Sequence, residues 1–130
     1  MLRKFAESRQ LDYSSIVMIE TKAGIKNYVC AYCDTELSRQ MGLMGQRLPP
    51  HHGAVLAYPE PVLMSLWMKN CLQPLVAVFI ADDRVVHACT MDHNDPNRLH
   101  HCPTFATTVL EMNPSEADGI ALGDIVRIFK

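Results

Sequence analysis

From residue 15 to residue 129 the chain is a succession of short apolar segments, each ended within a few residues by a turn signal. That rhythm constrains the fold more than any other feature. Short strands punctuated by Gly, Pro, Asn and Asp pack as a sandwich or a barrel, not as a βαβ array. Residues 15–21 and 25–33 flank Lys22-Ala23-Gly24 and read as a hairpin. Further strands are expected over 53–58, 62–69, 75–81, 84–91, 105–112 and 125–129. Turns are expected at Pro59-Glu60-Pro61, at Asp82-Asp83 and at Gly123-Asp124, and 92–103 reads as a polar loop.

Two short helices interrupt the pattern. Leu37, Met41 and Met44 recur at helical spacing, Thr35 can cap the start, and Gly42 can stop it, so a helix is expected near 36–42. Pro114 suits the first turn of a second helix over 114–121. The expected architecture is mainly β with a minor α component: a lead-in over 1–14, then one compact sandwich- or barrel-like domain over 15–130. A length of 130 residues suits a single domain with its own core.

Composition narrows the function classes. A formal net charge of −2 gives no general attraction to nucleic acid or to an anionic membrane, so neither is an expected partner. No apolar run reaches the roughly 20 residues that span a bilayer. Met1 to Asp12 carries Arg3, Lys4, Glu7 and Arg9 and no apolar core, so no secretory leader is expected. Five cysteines cannot all pair within one chain, which fits a reducing, cytoplasmic setting.

Several segments carry a resemblance. Asp34-Thr35, Arg39 and Gly42-Leu43-Met44 resemble an A-D-T-x-x-x-R-x-x-G-L-M segment, and Leu48 followed by Gly53 resembles an L…G-M-L-F segment. Trp67-Met68-Lys69-Asn70, Pro74-Leu75 and Phe79-Ile80 resemble the stretch W-M-K-N-T-x-x-P-L-D-x-x-F-I. Val109-Leu110-Glu111 and Gly123-Asp124 resemble V-L-E and G-D endings. In this order and spacing the chain is similar to the domain of unknown function 192 family. The resemblance implies a mostly β, sandwich-like domain with one or two small helices, and it implies no activity. Three positions depart from the family pattern: Cys33 stands for Ala, Cys71 for Thr, and Val76 for Asp. Short, leaderless members also occur in bacteriophage genomes, so the resemblance extends to a viral source as an expectation.

The segment around Trp67 raises the main functional question. On a strand, Trp67 and Lys69 share one face and Met68 and Asn70 the other. The neighbours Val62, Leu63, Met64, Leu66, Leu72 and Leu75 are apolar, and a lysine is costly to bury there without a partner. With Val76 at the family's Asp position, the remaining partners for Lys69 are Asp34, Glu111, Asp124 or a bound anion. One reading is a pocket: Arg39, Trp67, Lys69, Asn70 and Glu111 hold a small anionic or planar ligand, with Trp67 as stacking face and the cations on carboxylate or phosphate. The competing reading is structural, with Lys69 and Arg39 in ion pairs and Trp67 in the core.

Metal and thiol chemistry are less favoured. His87, Cys89, His100, His101 and Cys102 could converge on zinc, but no C-x-x-C…C-x-x-C or H-x-x-x-H spacing is present, and no metal or cofactor is expected. Cys30-Ala31-Tyr32-Cys33 has redox spacing, yet on a strand residues three apart face opposite ways. No nucleophile elbow, phosphate loop or H-E-x-x-H occurs. The leading expectation is therefore a non-catalytic domain binding a small anionic or nucleotide-like molecule, in a viral setting a host signal removed from solution. The alternatives are an interaction domain using an exposed edge or the 92–103 loop, and an enzyme using Lys69.

Overall fold

The computed structural model describes residues 9–130, so the part of the lead-in over 1–8 lies outside the described residues. Nine strands follow: β1 (Ser15–Thr21), β2 (Gly24–Cys33), β3 (His52–Val62), β4 (Ser65–Leu66), β5 (Leu75–Ala81), β6 (Arg84–Met91), β7 (His100–His101), β8 (Ala106–Met112) and β9 (Ile125–Phe129). Helix α1 (Glu36–Met41) joins β2 to β3. Among the described residues, seven strands close into a barrel in the order β1-β2-β3-β8-β5-β6-β9, and β4 and β7 form a separate ribbon. No helix among the described residues is long and apolar enough to cross a membrane.

All barrel pairs are antiparallel except β2–β3, where Val29↔His52 to Cys33↔Leu56 run parallel. A parallel pair needs a crossover, and α1 with the following stretch supplies it. Alternation divides the side chains into two apolar layers. Val17, Tyr28, Val55, Val78, Val85, Leu110 and Val126 come from all seven barrel strands and fill its interior. Cys33, Leu56, Phe79, Met91 and Val109 point outward and are covered by Leu43, Leu48, Met64, Leu66, Met68 and Cys102. Strand β5 is buried from Leu75 to Ile80 because it faces both layers.

Local signals hold where the physics is local. Thr35 accepts from the Ser38 backbone, the Ser38 hydroxyl accepts from the Thr35 backbone, and Gly42 ends α1 at φ 46°. Asp82 and Asp83 both take positive φ, 50° and 61°, which is the hairpin-turn geometry between β5 and β6.

Three expected elements differ. Pro59-Glu60-Pro61 does not turn; it stays within β3, at the register break between Ala57 and Val62, where no ladder partner needs the missing N–H. The strand expected over 62–69 reduces to Ser65–Leu66, because this segment crosses over the outward layer and pairs only with His100–His101. The helix expected over 114–121 is a single 3-10 turn, Pro114–Glu116, whose cap residue Asn113 makes no capping bond.

Candidate functional site

The crossing segment keeps its two-residue rhythm outside the ladder. Met64, Leu66 and Met68 are buried, while Leu63, Ser65, Trp67 and Lys69 are exposed. Trp67 and Lys69 therefore share a face, as expected, but it is the face turned away from the core. The lysine pays no burial cost. Its Nζ lies 4.3 Å from the centre of the Trp67 ring. Among the described residues no ion pair joins Lys69 to Asp34, Glu111 or Asp124.

Segment 65–71, α1, β3 and β8 enclose a cavity of about 450 Å³. Arg39, Trp67, Lys69 and Glu111 all line it. Asn70 does not; it turns at φ 59°, its carbonyl accepts from the Gly45 N–H at 2.8 Å, and its amide faces the Met44 sulfur. Arg39 is held in place: Nη1 donates to the carbonyls of Asp34 at 2.7 Å and Ala57 at 3.0 Å, and the guanidinium sits 4.7 Å over the Tyr58 ring. Arg39 thus ties the start of α1 to β3 and forms one wall.

Glu111 forms the inner end. It is 6% exposed, and no described residue offers its carboxyl a hydrogen bond or an ion pair. Burial raises the carboxyl from the usual 4.5 to about 7. Gly42 makes room for it, because a Cβ there would stand 3.3 Å from Glu111 Oε1. The acid is placed outward by strand parity: Val109 and Glu111 face the layer under α1, whereas Leu110 and Met112 face the barrel interior. Sequence reasoning missed Tyr58, Ser65, Cys71 and Leu99 on the walls and rim. Ser65 was within reach of that reasoning, since the alternation that pairs Trp67 with Lys69 includes it. Its hydroxyl lies 2.6 Å from Nδ1 of His101.

The cysteines are all free thiols. Cys30 belongs to the interior layer and Cys33 to the outer one, so the C-x-x-C pair is split by the sheet. Desolvation pushes Cys30 up to about 12, Cys33 to about 11 and Cys71 to about 12, and the Glu111 charge adds to the last two. These three thiols are expected to react with iodoacetamide more than tenfold slower in the native protein than after denaturation, at about pH 8. Peptide mapping by mass spectrometry checks this, and fast native labelling of Cys71 would contradict it. No group of three His, Cys, Asp or Glu side chains among the described residues is arranged to hold a metal ion. His101 is engaged with Ser65, and Cys102 is packed in the outer layer.

The DUF192 family model, described as an uncharacterized ACR, matches residues 17–128. The chain belongs to the DUF192 family. The match reaches into every strand that builds the barrel and covers every residue of the cavity wall. Two solved structures share the DUF192 fold seen here. One, from Sinorhizobium meliloti 1021, is described as a "putative transcription regulator"; it has a TM-score of 0.83 and 23% identity, over 92% of this chain and 97% of that one. The other, a protein of unknown function from Novosphingobium aromaticivorans DSM 12444, has a TM-score of 0.82 and 23% identity, over 94% of this chain and 95% of that one. Both likenesses concern the fold. No curated protein matches the chain.

Proposed function

We propose that this DUF192 domain binds a small planar anion in the cavity beside Trp67 and does so without catalysis. One observation carries the reading. A lysine with no ion pair among the described residues and a 43% exposed indole stand together at the mouth of a cavity of about 450 Å³. That volume is in the range of small-molecule sites, roughly 300–1,000 Å³. The mouth supplies a cation and a ring face for a planar anion, and Leu43, Leu56 and Leu66 supply apolar walls. Five free thiols suit a reducing, cytoplasmic setting for such a protein.

Trp67 is the single tryptophan of the chain, so its emission reports on this mouth alone. Titration with 8-anilino-1-naphthalenesulfonate, a planar anion, is expected to change that emission saturably. Lys69→Met is expected to weaken the binding about tenfold while shifting unfolding free energy by no more than about 0.5 kcal/mol, as befits an exposed side chain. A variant that mainly loses stability and keeps the titration unchanged would return Lys69 to a structural role.

A further inference from the structure

We propose that Glu111 selects the occupant of this cavity, and that the occupant presents a planar edge with two adjacent N–H donors, as guanine does, to the Glu111 carboxylate. The inference rests on the ligand-site reading above and names the substrate class for it.

A carboxylate has two oxygens and about four acceptor positions. For a carboxylate largely removed from water, leaving them unmatched is costly. The cations nearest the cavity donate nothing to Glu111. Arg39 Nη1 donates to two backbone carbonyls, Lys69 lies on the Trp67 ring, and Arg9 donates to the Gly42 carbonyl. Glu111 is 6% exposed, it lines the cavity, and no described residue supplies it with a donor. A ligand that fills the cavity displaces water from Glu111 and has to bring the donors itself.

Two features make the required group planar and paired. The carboxylate is flat and accepts side by side, which matches two parallel N–H bonds. Gly42 leaves the space next to Oε1 free of a side chain, where any Cβ would stand at 3.3 Å. A ligand that is only an anion would bring a like charge toward Glu111. A molecule with an N–H edge at one end and an anionic group at the other satisfies both ends of the cavity, the edge at Glu111 and the anion at Lys69. Guanosine 5′-monophosphate has this form. Adenosine 5′-monophosphate has the same phosphate and a similar ring, but its corresponding ring nitrogen accepts instead of donating.

The test uses the full chain, Trp67 emission and three probes: the 5′-monophosphates of guanosine, inosine and adenosine. The guanosine form is expected to bind about tenfold or more tightly than the adenosine form, since a polar site rejects analogues that leave its groups unpaired. The inosine form keeps one of the two donors and is expected to fall between them. In Glu111→Gln, which offers one acceptor and one donor, the preference is expected to shrink to about threefold or less. Equal affinities in the parent, or an unchanged preference in Glu111→Gln, would overturn the inference while leaving the ligand site intact. So would binding of the naphthalenesulfonate with none of the nucleotides. If neither the nucleotides nor the naphthalenesulfonate alter Trp67 emission, the ligand site itself fails and the inference fails with it.

Discussion

Replacing Glu111 with glutamine is expected to stabilise the domain by about 3 kcal/mol at about pH 8. The reason is linkage. Burial holds the folded carboxyl at about 7, against the ordinary 4.5 of an exposed glutamate. Between those values the folded chain retains a proton that the unfolded chain has released, so the parent loses stability as pH rises through the window. Below about pH 4.5 the group is neutral in both states and the variant has no advantage. Above about 7 the loss is complete, and that rise in pKa corresponds to about 3 kcal/mol.

The groups facing Glu111 do not reverse the sign. Glu36 and Arg39 on α1, and Lys69, line the cavity with Glu111, and among the described residues no ion pair joins any of them to its carboxyl. Cys33, Cys71, Cys89 and Tyr58 are all pushed upward, chiefly by desolvation, and titrate above this window. Urea unfolding of parent and variant from about pH 4 to about pH 8 reads the effect directly. A parent whose stability is flat or rising across that range would refute the account of Glu111 as buried and unpaired. A residue that costs the free protein this much is what a binding site retains when its ligand repays the cost.

Gly53→Ala is expected to destabilise by about 3 kcal/mol, at the upper end for overpacking. A Cβ at Gly53 would stand 2.7 Å from the Glu111 carbonyl oxygen, 3.1 Å from Leu110 Cδ1 and 3.3 Å from Cys30 Sγ. The first of these is backbone, and it cannot swing aside. Residue 111 is paired on both sides, with Ala54 of β3 and Ala77 of β5, so relief requires β3 and β8 to separate. The same separation would move the Glu111 side chain relative to Gly42. Thermal or urea unfolding measures the cost, and a loss under about 1 kcal/mol would show that the strands can shift with little resistance.

What was legible in the sequence was the part decided within a few residues of chain. Thr35 and Gly42 bound α1 because capping and left-handed backbone are local events. Asp82-Asp83 makes its turn for the same reason. Trp67 and Lys69 share a face because extended chain alternates whether or not it joins a ladder. The family motifs followed from the same local residues, and with them the mainly β class.

The tertiary structure decided the rest. Lys69 is exposed, despite its apolar neighbours, because segment 62–69 passes over the barrel and turns only every second side chain inward. Arg39 finds its partners in Asp34 and in Ala57, a residue on another element, and Asn70 faces Met44 instead of the cavity. Glu111 was visible as an acid on an apolar strand, but its isolation was not. That isolation arises only when α1 and the 65–71 segment close over β8, and burial is a property of what lies above a residue, which its own sequence neighbours do not specify.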